Sequence, residues 1–155
     1  MYHRRECYAE TGVNAGAAKG ASIMNAERLK ERLEEYRRAV LRLKEAVEED
    51  ESNPLIYDAV IQRFEFTYEL AWKLIKAYLE YQGMAVVNSP RSAFKEAFAA
   101  GLIFNGDAWI DMISDRNLTT HTYNEERARE IYTRVREKYL DRFVALASRL
   151  EELIK

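Results

Sequence analysis

From Asn25 the chain adopts a steady helical period. Leu29, Leu33, Tyr36, Val40, Leu43 and Val47 recur at alternating spacings of four and three, with Glu, Arg and Lys between them. That spacing is an a/d seam, one apolar stripe on one helix. The stretch EEDESNP interrupts it, and Asn53 is placed to cap a second helix with Pro54 at its first position. This second helix, Pro54 to Tyr81, is apolar over most of its circumference. Its polar residues Gln62, Glu65, Glu69, Lys73, Lys76 and Glu80 fall within about 60° of one another. A helix apolar on nearly every side but one is central to its domain or shared with a partner chain. Gly83 is placed to end it.

Ser89-Pro90 opens a short third helix, with Ala93, Phe94, Ala97 and Phe98 as its buried side and Gly101 as its stop. Asn105-Gly106-Asp107 opens a fourth, which carries Trp109, Ile110, Met112 and Ile113. Asn124, followed by two glutamates, is a fresh N-cap. The last helix then runs to the C-terminus on Tyr132, Val135, Tyr139, Phe143, Leu146, Leu150 and Leu153. No strand pattern or repeat appears, and Val86-Val87 is only a connector. The expected fold is all-α, an antiparallel up-and-down four-helix bundle with one short extra helix.

Residues 1–24 do not share this pattern: they include Gly12, Gly16 and Gly20 and have no sustained apolar period. They read as a poorly structured leader outside the native fold, and His3 within them as irrelevant to function. Residues 25–155 then form a single helical domain. The whole chain of 155 residues is 48% hydrophobic and 32% charged, with a formal net charge of −2. A near-neutral molecule exerts no overall pull on nucleic acid or anionic membrane, so a nucleic-acid role requires a local basic cleft. Cys7 is the only cysteine, which rules out an intrachain disulfide. No apolar run approaches a membrane span, and no secretory signal pattern is present, so the cytoplasm is the expected location.

One stretch carries chemistry. DRNLTTHTYN, Asp115 to Asn124, gathers Arg116, Asn117, Thr120, His121 and Tyr123. On an α-helical wheel with Arg116 at zero, Trp109 falls near about 20°, Thr120 about 40°, Ile113 about 60° and Tyr123 about 340°. Asn117 and His121 form an adjoining stripe. A polar cluster that continues an apolar face points into a groove or an interface rather than open water. Histidine exchanges protons near neutrality, and the arginine fork matches phosphate oxygens. Together these groups can bind a phosphodiester and activate an RNA 2′-hydroxyl without a metal. The bland alternatives stay open: a structural histidine at a helix end, Arg116 paired with Asp115 or Asp111, and Tyr123 in the core. The Glu65/Glu69/Lys73 line reads as a solvated or interface face.

RNLTTHTY fits the Arg-x4-His-x-Tyr motif of the HEPN superfamily. RFEFTYELAWKLIKAYLEYQG (Arg63 to Gly83) and SPRSAFKEAFAAGLI (Ser89 to Ile103) resemble the nucleotidyltransferase substrate-binding protein family. The resemblance covers about Asn25 to Lys155. It implies an up-and-down helical homodimer that pairs with a minimal nucleotidyltransferase encoded by an adjacent gene, with nucleotide or RNA as ligand and no cofactor. In the HepT-like branch of MNT–HepT toxin–antitoxin pairs it implies a metal-independent endoribonuclease. Arg116 would then polarise the scissile phosphate, His121 serve as acid/base and Asn117 support the site. Tyr123 would be the residue adenylylated by the partner. The resemblance leaves two roles standing, accessory substrate-binding subunit and RNase toxin.

Overall fold

The computed structural model describes the backbone of residues 14–84, 86–121 and 124–154, and the side chains from Asn25 onward within that set apart from His121. Helix α1 is Asn14–Val47, α2 Leu55–Tyr81, α3 Pro90–Ala99 and α4 Gly106–Leu118, followed by a 3-10 turn Thr119–His121. The last helix is built from α5, Glu125–Arg134, a π turn Val135–Tyr139, and α6, Leu140–Leu153. The described residues contain no strand. The expected all-α bundle forms: α1 lies against α2 and α6, α3 bridges α2 and α4, and α5 covers α2.

The local punctuation works as its chemistry dictates. Asn53 Oδ1 accepts from Leu55 N at 3.0 Å, which places the cap one residue ahead of Pro54. Ser89 Oγ accepts from Ser92 N at 3.2 Å with Pro90 at the first position. Asn124 Oδ1 accepts from Glu126 N at 2.7 Å. Gly83 and Gly101, at φ 67° and 77°, each close a Schellman turn. The turn-closing bonds are Met84 N to Leu79 O and Leu102 N to Ala97 O, both 2.9 Å. A side chain at either glycine would be strained by the left-handed backbone.

Two expectations shift. The helical backbone of α1 begins at Asn14 rather than Asn25, inside the segment read as a leader. Its alanine-rich stretch has the intrinsic helix propensity to propagate without an apolar stripe. Residues 1–13, with His3 and Cys7, lie outside the described residues. The last helix, expected to be continuous α, is interrupted by the π turn.

The a/d seam of α1 is buried as expected, from Leu29 to Val47. Opposite it, aromatic rings form a closed circuit that ties the layers together. Phe94 meets Trp109 at 4.9 Å, Trp109 meets Phe143 at 5.7 Å, and Phe143 meets Phe64 at 6.1 Å. Phe64 meets Tyr68 at 6.1 Å, and Tyr68 returns to Phe94 at 5.9 Å. Each of α2, α3, α4 and α6 contributes to that circuit. The Tyr36 hydroxyl donates to Phe143 O at 2.7 Å, which ties α1 to α6.

Phe143 is fully buried, whereas Leu41 on α1 is 57% exposed. Phe143→Ala is expected to cost about 3–5 kcal/mol in urea denaturation, through lost transfer energy and the cavity left behind. Leu41→Ala is expected to stay within about 0.5 kcal/mol of the parent.

Candidate functional site

The motif occupies the end of α4, where that helix crosses α2. Arg116, in the last turn, is half-buried, and its charge also suits the negative end of the helix dipole. Its Nη1 donates to Glu65 Oε2 at 3.2 Å and to Thr119 Oγ1 at 3.2 Å. The Thr119 hydroxyl itself lies against Glu65 Oε2 and 2.7 Å from Arg116 O, so its single proton serves one acceptor at a time. Arg116 Nε is buried and has no hydrogen-bond partner among the described residues. The guanidinium is thus anchored along one edge by a carboxylate and a hydroxyl. An anion arriving at Arg116 must compete with Glu65.

Two sequence expectations need correcting here. Thr120 was aligned with Arg116 on an α-helical wheel, but it is exposed and its hydroxyl turns back to Asn117 O at 3.0 Å. The reason is the 3-10 turn. In that geometry side chains at i and i+3 eclipse, so Thr119 comes into line with Arg116 and Thr120 swings off. The Glu65/Glu69/Lys73 line was read as a solvated or interface face. Glu69 and Lys73 do pair at 3.8 Å, but Glu65 turns to Arg116 and is about as buried as it is. Nothing local marks Glu65 within that polar line; the crossing of α2 and α4 selects it. Asn117 is exposed beside Arg116. The backbone of His121 closes the 3-10 turn, and its side chain, like all of Tyr123, lies outside the described residues.

Behind the motif is a polar clasp that sequence reading missed. Asp115, 5% exposed, receives Arg134 Nε at 2.7 Å and Arg134 Nη2 at 2.8 Å, a bidentate pair. The Tyr139 hydroxyl donates a short hydrogen bond to the same carboxylate. Arg116 therefore pairs with neither Asp115 nor Asp111; the latter takes Lys138 at 2.7 Å. In an ordinary α-helix residues 134 and 139 would point about 140° apart. The π turn between them closes i to i+5, which brings both side chains onto one carboxylate. Burial, then the Asp115 hydrogen bond and charge, hold the Tyr139 hydroxyl well above its usual pKa, so it stays a donor. Asp115 and Arg116 are adjacent, one tied to the last helix and the other to α2, so the end of α4 is held from both sides.

Tyr68 lies under this region, 2% exposed. Burial first, then the charge of Glu69, push its hydroxyl up to about 12, while Arg116 and Arg91 pull it back down. The fields of both arginines therefore converge on that tyrosine from α4 and from α3.

Thr119→Val removes the hydroxyl that donates to Glu65 and accepts from Arg116 beside their direct ion pair, and is expected to lower stability by about 1–2 kcal/mol in chemical denaturation. Thr120→Ala, at an exposed position, is expected to change it by less than about 0.5 kcal/mol. Equal losses for the two would contradict the 3-10 register. Asp115→Asn is expected to cost more than either, roughly 2–3 kcal/mol, because it weakens two charge-assisted bonds and leaves Arg134 without its counter-charge.

Residues 31–152 match the family described as nucleotidyltransferase substrate binding protein like. A protein from Thermus thermophilus with a crystal structure is 33% identical, with a TM-score of 0.65 over 77% of this chain and 98% of that one. A probable ribonuclease HepT of Haemophilus influenzae is 35% identical over 79 residues. That match takes in 48% of this chain, and the chain spans about half the length of this curated relative, 54%. A tri-AMPylated HEPN toxin of Shewanella oneidensis, solved in complex with its MNT antitoxin, shares the fold at a TM-score of 0.66 and 20% identity, over 80% of this chain and 96% of that one. The match over most of the helical domain, together with the Thermus relative, shows that this chain belongs to the nucleotidyltransferase substrate-binding protein-like family.

Proposed function

We propose that this chain is the helical partner subunit of a separately encoded minimal nucleotidyltransferase, and that the end of α4 is the part it presents to that enzyme's chemistry. The observation that carries this reading is the anchored Arg116. Its guanidinium is fixed at the α2/α4 crossing by Glu65 and Thr119, beside exposed Asn117 and at the start of the turn that leads to His121. An anchored arginine fork recognises a phosphate with little loss of side-chain freedom. Family membership and the toxin–antitoxin complex among its structural neighbours support pairing with a nucleotidyltransferase. In this reading Tyr123, two residues beyond the 3-10 turn, is the adenylyl acceptor.

A second reading concerns what the same site does when the partner is absent. The similarity to a probable ribonuclease and the filled Arg116–His121 spacing favour RNA cleavage without a metal. Arg116 would hold a non-bridging phosphate oxygen, and Asn117 would support the site. The RNA 2′-oxygen would attack phosphorus as the bond to the 5′-oxygen breaks. His121 would serve as acid/base, taking the 2′-proton and returning it to the leaving 5′-oxygen. Modification of Tyr123 would add a bulky anion to the motif and so oppose binding of a phosphate. Self-association is part of the proposal. The outer face of α2 leaves Phe66 exposed, with Leu70 one turn on only half-buried, and a second copy would cover it. No helix among the described residues is long and apolar enough to cross a membrane.

Co-expression with the nucleotidyltransferase encoded next door is expected to yield a co-purifying complex in which mass spectrometry finds AMP on Tyr123. Separate elution with unmodified Tyr123 would sink the partner reading. Expressed alone, the protein is expected to arrest growth, and Arg116→Ala or His121→Ala to relieve the arrest; harmless wild-type expression would remove the RNase reading. In light scattering after size exclusion, wild type is expected at twice the monomer mass and Phe66→Glu at the monomer mass.

A further inference from the structure

Between α3 and α4 lies a cleft of about 700 Å³ that the motif does not use. Its α3 wall is Arg91, Lys95 and Phe98, spaced to share one helix face, and its α4 wall includes Asn105, Asp107 and Ile110. The two helices run antiparallel. Phe94 stacks on Trp109 at 4.9 Å, and a Cβ at Gly106 would lie 3.3 Å from the Phe98 ring. Continuing that pairing sets Arg91 level with Ile113, one turn short of Arg116 and Asn117. The cleft thus runs from the aromatic start of α4, where Asp107 is the only charge on its wall, towards the motif at its end.

The charges in it are unequally placed. Neither Arg91 nor Lys95 forms an ion pair or a hydrogen bond among the described residues, whereas Arg116, Arg134, Arg136 and Lys138 all do. Both stand on the side of the cleft that leads to Arg116, and the fields of Arg91 and Arg116 meet at Tyr68. The far end is different in kind. Phe98 is 56% exposed, Ile110 flanks it, and the acid Asp107 and the amide of Asn105 close it off. A phosphate is attracted to the first part and repelled by Asp107 at the second. A base has a flat ring to stack on at the second, with polar groups at its edge. An exposed aromatic beside unpaired cations is the arrangement that binds single-stranded nucleic acid, by stacking and backbone attraction together.

We propose that the α3/α4 cleft is a subsite for single-stranded RNA. Arg91 and Lys95 bind the backbone phosphate next to the one held by Arg116, and Phe98 stacks the base of that neighbouring nucleotide. This rests on the reading of Arg116 as a phosphate-binding residue and adds to it a binding track on a different helix. The net charge of −2 is no obstacle, because Arg91 and Lys95 supply a local positive field along the cleft.

The test is fluorescence anisotropy of a labelled mixed-sequence single-stranded RNA of about ten nucleotides, a length in the range of single-strand binding sites. It is measured at several salt concentrations with full-length wild type, Arg91→Ala/Lys95→Ala, Phe98→Ala, Arg116→Ala and Glu96→Ala. Glu96 is exposed on the opposite side of α3 and serves as a control. The double variant is expected to lose affinity and to flatten the plot of log affinity against log salt by about 0.7, for the one phosphate that the two side chains neutralise. Phe98→Ala is expected to weaken binding about tenfold with an unchanged salt slope. Melting temperatures close to wild type would show that these surface variants remain folded. If wild type and the double variant bind alike while Arg116→Ala loses affinity, the cleft proposal is overturned and the reading of Arg116 stands. If wild type does not bind RNA, both fall. If the cleft variants keep RNA affinity but lose the nucleotidyltransferase, the cleft is a protein-docking surface and the proposal is wrong.

Discussion

The Asp115 carboxylate is the constraint around which the end of the molecule carrying the candidate site is arranged. A buried carboxylate is tolerable only if its lone pairs are occupied by good donors, and here Arg134 and Tyr139 supply three bonds. They can do so only because the last helix widens into a π turn between them. That turn costs regular helical hydrogen bonding and gains a clasp between α4 and the last helix. Its position directly before Arg116 means that the backbone of the motif is fixed before any ligand arrives. Pairing between Glu65 and Arg116 fixes the other flank. The two ion pairs differ in exposure. The Asp115 carboxylate is almost wholly buried, whereas both partners of the Glu65 pair are half-buried, so the second pair meets more solvent at its carboxylate than the first.

The aromatic circuit explains why such an arrangement holds its geometry. Phe64, Tyr68, Phe94, Trp109 and Phe143 come from four helices, and each ring is in contact with the next. Trp109 and Phe94 set the spacing of α3 and α4, and so the width of the cleft between them. Phe64 and Tyr68 sit one residue before and three after Glu65, so the rings that build the core also set where α2 holds its carboxylate. Core packing and site geometry are therefore one problem in this fold.

Much of this was legible in the residues. The a/d seam of α1, the caps at Asn53, Ser89 and Asn124, and the stops at Gly83 and Gly101 are local effects, and each acts where its chemistry predicts. Arg116 was legible because a polar residue continuing an apolar stripe is unusual. Thr120 was misplaced because an α-helical wheel cannot register a change to 3-10 winding within one turn. The Asn14 start of α1 was missed because an alanine-rich helix has no apolar period to detect.

By itself, then, the sequence determined the all-α class, the bounds of most helices, most of each apolar face, with Phe98 at 56% exposed an exception, and the motif of the candidate site. All of these depend on contacts a few residues apart, on hydrophobic period, cap chemistry and glycine conformation. Only the tertiary structure decided that Glu65 faces Arg116, that Thr119 replaces Thr120 beside it, and that Asp115 faces Arg134 and Tyr139. It alone placed Arg91 and Lys95 along a cleft leading to the motif. Those pairings join residues on different helices or depend on a change of winding. A charged residue on a helix surface has many possible neighbours, and only the packed core determines which one it meets.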